Sequence, residues 1–142
     1  MKIKIKKMKA EVKTPNYAHE GDAGMDIFSN EDCIVEAGKT KLISTGLCFE
    51  IPYGFEMQIR PKSGLALNYG LTILNSPGTL DSGYRGELKI LVFNTSDEDY
   101  HIEKEQKIAQ GIVSKIEIVK IEETDNLSES ERGEGGFGST GK

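Results

Sequence analysis

ELKILVF, residues 87–93, places Leu88, Ile90 and Val92 on one parity and Glu87 and Lys89 on the other. That period of two is the mark of a strand with one buried face. Immediately upstream, LNSPGTLDSGYRG (74–86) is too rich in Gly, Pro, Asn and Ser to continue a strand, so a hairpin or loop is expected there, bounded by strands. Working outward, the same short-period pattern recurs in KIKIK near the N-terminus, in GLCFEI (46–51), in GFEMQIR (54–60) and in KIEIVKI (115–121). Turn chemistry separates these runs at EAGK (36–39), IPYG (51–54), SPG (76–78) and NTSDED (94–99). Only SGLALNYG (63–70) is suited to a helical turn or two, with Gly70 as the stop. Many short strands with frequent turns define an all-β chain of the sandwich, jelly-roll or barrel type.

The 142 residues suit one domain, and no run of eighteen apolar residues exists to span a membrane. The N-terminal MKIKIKKMKA is basic without an apolar stretch, so it is not a signal peptide, and a cytoplasmic location is expected. A net charge of −5 argues against a nucleic-acid scaffold. The charge is uneven: Lys2, Lys4, Lys6, Lys7 and Lys9 crowd the start, while Glu122, Glu123, Asp125, Glu129, Glu131 and Glu134 face only Arg132 near the end. On composition the chain divides into a core over 1–121 and an acidic, glycine-rich tail over 122–142 that is expected to be disordered. Cys33 and Cys48 lack metal-ligand spacing and read as buried free thiols. His19 and His101 read as surface or structural residues.

Four further stretches carry chemistry. PKSGLAL (61–67) offers Lys62, Ser63 and the unhindered backbone of Gly64, a combination suited to an anion but common in loops. The 74–90 loop displays Asn75, Asp81, Tyr84 and Arg85; Asp81 is either a general base toward water or a turn residue, and Tyr84 is either functional or a core aromatic. DAGMDIFS (22–29) sets Asp22 and Asp26 four residues apart, which suits magnesium through water and suits a solvated turn equally well. QKIAQGIV (106–113) contains Gln110, which as a strand residue need only face solvent.

Taken in order, DAGMDI, PKSGLA, LNSPGTLDSGYRGE, KIAQ and RGEGGFGSTG resemble the five motifs of the trimeric dUTPase family, from about residue 14 to 141. The resemblance implies a distorted β jelly roll (a β-clip-type sandwich) that forms a homotrimer with shared sites and a flexible C-terminal arm. It also implies hydrolysis of dUTP to dUMP and pyrophosphate with Mg²⁺, which limits uracil in DNA and supplies dUMP for thymidylate synthesis. In that frame Asp81 activates the water that attacks the α-phosphorus, and Tyr84 packs under deoxyribose and leaves no room for a 2′-hydroxyl. Asn75, Gly78, Thr79 and Leu80 form the hairpin that reads uracil. Lys62, Ser63, Gly64, Lys89 and Gln110 serve the phosphates, Gln110 also as a partner of the water network. Asp26 supports the metal indirectly, through water. In the tail, Phe137 stacks on uracil while Arg132, Gly138, Ser139 and Thr140 clasp the outer phosphates, closing as a lid.

The chain departs from the family pattern in three places. Lys62 stands where arginine is more usual and loses bidentate geometry. Gly83 replaces a second aspartate, and Glu134 adds negative charge inside the last motif. A dCTP deaminase of the same superfamily and a silent nucleotide-binding module are the rival readings; GTLDSGYRGE fits the hydrolase form better than the first, and intact Asp81, Tyr84 and Gln110 argue against the second.

Overall fold

A computed structural model describes residues 1–136. Its ten strands and one helix run β1 (Lys4–Lys7), β2 (Met25–Phe28), β3 (Cys33–Val35), β4 (Thr40–Glu50), β5 (Phe55–Arg60), α1 (Ser63–Tyr69), β6 (Leu71–Ile73), β7 (Gly78–Leu80), β8 (Glu87–Asn94), β9 (Tyr100–Ile102) and β10 (Lys107–Lys115). They form two four-stranded sheets, β1-β4-β8-β6 and β2-β10-β5-β7, and a two-stranded ribbon, β3-β9. All the pairings are antiparallel. One apolar core draws on every sheet: Ile43, Leu47, Phe49, Leu88, Ile90 and Val92 from the first, Met25, Ile27, Met57, Ile59 and Leu80 from the second, and Val35 and Ile102 from the ribbon. The all-β expectation therefore holds, with one short helix.

The alternation in ELKILVF is realised on β8, where Leu88, Ile90 and Val92 are buried and Lys89 is exposed. β4 and β8 are out of step between Ser44 and Cys48: Ser44 faces Lys89 and Cys48 faces Glu87, so β4 carries two residues more than its partner over that interval. Gly46 lies inside this bulge with φ of +67°, a conformation that disfavours L side chains. A Cβ there would also stand 2.7 Å from Val12 Cγ2. The helix ends as expected at Gly70, which is left-handed and donates its amide to Ala66 and Leu65 carbonyls.

Two expectations are corrected. KIEIVKI does not continue as a strand. β10 pairs with β5 as far as Lys115 opposite Phe55, and one further hydrogen bond, from Ile116 N to the Gly54 carbonyl, closes the ladder. Beyond it β5 has no residues left to pair, and Ile118, Val119 and Ile121 are exposed. The cysteines are free but only half-buried, not fully buried. Each lies on a strand whose partner covers it incompletely, Cys33 opposite Ile102 and Cys48 opposite Lys6 and Glu87. Burial, and then the neighbouring Glu31 carboxylate, raise the Cys33 thiol above its ordinary value. His19 and His101 are exposed, as expected.

Candidate active site

Position within the second sheet decides which motif residues meet. In β10, Gln110 is in register with Asp26 of β2 on one side and Arg60 of β5 on the other. Because side chains alternate along each strand, register neighbours share a face, and these three form a row across the sheet. Ala109 and Gly111, on the other face, are buried in the core. Pro61 ends β5, and its carbonyl accepts a hydrogen bond of 2.9 Å from Gln110 Nε2. Gly24 makes room for this arrangement, since a Cβ there would come 2.5 Å from Gln110 Oε1.

Asp26 is 4% exposed, so its charge must be compensated. Lys62 Nζ lies 2.5 Å from Oδ1 and Lys107 Nζ 2.7 Å from Oδ2. The Lys107 contact is close but poorly aligned, leaving Oδ2 without a well-directed hydrogen bond. Burial pushes the Asp26 carboxyl up, and the Lys107 and Lys62 ammonium groups against its two oxygens outweigh it, so the group sits below the ordinary aspartate range. These residues open onto a pocket of about 430 Å³ lined by Asp22, Gly24, Asp26, Arg60, Lys62, Lys107 and Gln110 among others. Asp22, indistinguishable from Asp26 in sequence, is instead exposed, and its Oδ2 accepts the His19 amide at 2.9 Å. Ser63 and Gly64 follow Lys62 at the exposed start of α1.

The third-motif residues gather elsewhere. β7 is short and pairs with β5, Gly78 opposite Ile59 and Leu80 opposite Met57, which turns Gly78 and Leu80 inward and leaves Thr79 exposed. Asn75 stands beside Gly78, its Nδ2 3.2 Å from where a Cβ would be. Asp81 follows the strand, exposed, and its carbonyl accepts the Tyr84 amide at 3.1 Å in a tight turn. Thr79, Leu80, Asp81, Tyr84, Glu87 and Lys89, with Leu42 and Leu88, line a second pocket of about 490 Å³. The two pockets have no lining residue in common. Within one chain, then, Asp81, Tyr84 and Lys89 come together, and Asp26, Lys62 and Gln110 come together, but the two groups stay apart.

Arg132 is exposed on the tail, its Nε donating to the Gly135 carbonyl at 2.7 Å. The expectations for Phe137, Gly138, Ser139 and Thr140 lie outside the described residues. Among the described residues no group of three His, Cys, Asp or Glu side chains could hold a metal ion. Both Asp26 oxygens already face ammonium groups, so direct metal ligation does not fit; a cation carried on a polyphosphate and touched only through water does. Sequence reading missed Arg60 and Lys107 in this site. Lys107 opens the KIAQ stretch and was legible as its charge, whereas Arg60 is brought in only by strand register.

The fold is one that solved dUTPases share. The Staphylococcus bacteriophage 80alpha dUTPase, solved with dUPNHPP, superposes with a TM-score of 0.92 at 29% identity, covering 99% of both chains. In sequence, a deoxyuridine 5′-triphosphate nucleotidohydrolase of Clostridioides difficile is 55% identical over 139 residues, 98% of this chain and 97% of that one. Another from Nautilia profundicola is 53% identical over the full length of both. A family model described as dUTPase matches residues 10–141. The chain belongs to the dUTPase family.

Proposed function

We propose that the protein hydrolyses dUTP to dUMP and pyrophosphate, with Mg²⁺ arriving on the triphosphate and water attacking the α-phosphorus. The observation that carries this reading is the pocket in which Asp81, Tyr84 and Lys89 meet the outward face of β7. Uracil hydrogen-bonds to the hairpin at Asn75, Gly78, Thr79 and Leu80, where a wrong base would leave buried polar groups unpaired. Tyr84 lies under the sugar, and Asp81 takes the proton of the attacking water. Lys89 neutralises charge near the α-phosphate. Lys62, Ser63, Gly64 and Gln110 bind the phosphate chain, and Asp26 acts through the metal's water shell. Phosphoryl transfer asks chiefly for such positioning and charge neutralisation.

A distorted jelly-roll homotrimer completes the site. The separation of the two pockets within one chain supports this, because a single substrate then needs the hairpin of one subunit and the Lys62–Gln110 row of another. The exposed apolar side chains of Ile116, Ile118, Val119 and Ile121 support self-association as well. Residues 122–142 serve as linker and lid: Phe137 stacks on the base, and Arg132 with Gly138, Ser139 and Thr140 grips the outer phosphates. Stacking of this kind is worth ~1–3 kcal/mol in other base–aromatic pairs.

The test is purified protein with dUTP, dCTP, dTTP and UTP, each with Mg²⁺, scored for pyrophosphate and for ammonia. Rapid pyrophosphate release from dUTP alone is expected. Ammonia from dCTP would establish the deaminase instead, and dUTP binding without turnover the silent module.

A further inference from the structure

We propose that Glu87 is a positioning residue for sugar recognition: it fixes the Tyr84 ring through its own backbone carbonyl and thereby sharpens discrimination between deoxyribose and ribose. The inference rests on the role given to Tyr84 above. Tyr84 is 46% exposed, so packing alone leaves its ring room to swing. Its hydroxyl donates a hydrogen bond of 3.1 Å to the Glu87 carbonyl. Gly86 keeps that line clear, since a Cβ at this position would overlap the hydroxyl. The ring is therefore only as well placed as the carbonyl that receives it.

That carbonyl is held from the other end of the residue. The Glu87 side chain, 15% exposed, reaches into the β4 bulge. There Oε1 accepts hydrogen bonds from Ser44 Oγ and from the Gly46 amide, the latter at 2.9 Å. The extra residues of the bulge take Gly46 out of the ladder with β8, and Glu87 supplies the acceptor its buried amide needs. Oε2 lies 3.7 Å from Lys89 Nζ, so the same carboxylate sets the lysine on the pocket wall. Burial pushes the Glu87 carboxyl up, and the Ser44 hydroxyl, the Gly46 amide and Lys89 outweigh it, so it stays ionised and an acceptor. Loss of this clasp orphans the buried Gly46 amide and releases Glu87, the first residue of β8, where the strand is easiest to displace.

The experiment compares kcat/KM for dUTP and UTP in the full-length protein and in Glu87→Ala, Glu87→Gln, Tyr84→Phe and the Glu87→Ala/Tyr84→Phe double variant, with melting temperature and oligomeric state recorded for each. Glu87→Ala is expected to lower the dUTP/UTP ratio ~10-fold, the loss falling on KM for dUTP more than on kcat. Glu87→Gln, which keeps an acceptor oxygen for Gly46, is expected to hold the ratio within about 3-fold of wild type. The double variant should be no worse in ratio than Tyr84→Phe alone, because both changes break one chain of contacts. Should Glu87→Ala fail to fold, Ser44→Ala removes one donor from the same carboxylate and is expected to shift the ratio in the same direction by about 3-fold. An unchanged ratio in Glu87→Ala, or additive losses in the double variant, would overturn the proposal. If the wild-type protein itself accepts UTP as readily as dUTP, the reading of Tyr84 fails first, whatever Glu87 does.

Discussion

At Asp26 a carboxylate almost out of water is kept ionised by two ammonium groups, and acid titrates that arrangement. Its value in the folded chain lies below the ordinary aspartate range, so the unfolded chain takes up the proton first as pH drops. The stability this group adds is fully present above about pH 5 and is lost as pH falls through about 4 and on through the lower folded value. Urea midpoints of wild type and Asp26→Asn should therefore differ most near neutrality and converge in acid; a gap that widens with acid would contradict the assignment. Residue type and spacing do not reveal any of this. Asp22 and Asp26 look alike in DAGMDI, and only the strand, with Met25 and Ile27 locked in the core and Lys13 stacked 4.4 Å over Phe28, forces Asp26 under the two lysines while Asp22 stays in a turn. Asp81 and Tyr84 were legible together because one short loop carries them, and Lys89 through the family resemblance. Arg60 and Glu87 were not, since strand register and the β4 bulge, distant in sequence, bring their partners to them.

Period-two patterning located β5, β8 and the last part of β4, where a wet face and a dry one alternate, but missed the start of β4 at Thr40. β2 escaped that pattern: all four of its residues are buried, so nothing alternates. KIEIVKI failed the opposite way, alternating as a strand should where no partner strand remains to receive it. Pattern states what a segment can do, and pairing states what it does. The β4 bulge was invisible for the same reason, being a mismatch between two strands. Its demands are nonetheless testable at Gly46, where a left-handed backbone and the Val12 methyl both oppose a side chain. Gly46→Ala is expected to destabilise the fold by about 1–3 kcal/mol, read as a lower melting temperature. A neutral result would mean that the bulge relaxes without cost.

For the whole molecule, the proposed assembly separates folding from turnover. A chain cut after Asn126 retains all ten strands and the exposed apolar stretch 116–121, so it should fold and assemble while hydrolysing dUTP very slowly. Near-normal turnover by that shortened chain, with sedimentation unchanged, would remove the lid from the mechanism. Composition alone suggested a tail over residues 122–142; the lid role proposed for it came from the resemblance of its glycine-rich end, since low complexity carries no information about partners.

Two pockets without a shared residue also make the proposed site a matter of complementation between chains rather than within one. Asp81→Asn disables the hairpin half and Gln110→Ala the phosphate half, and each pure population should be nearly inactive. Unfolded together in equal amounts and refolded, the two dead chains can seat a sound hairpin against a sound phosphate row, and chance assembly gives about one such site in four. Activity reappearing from two inactive proteins would mean that each site draws its halves from different chains; persistent silence would mean that it draws them from one.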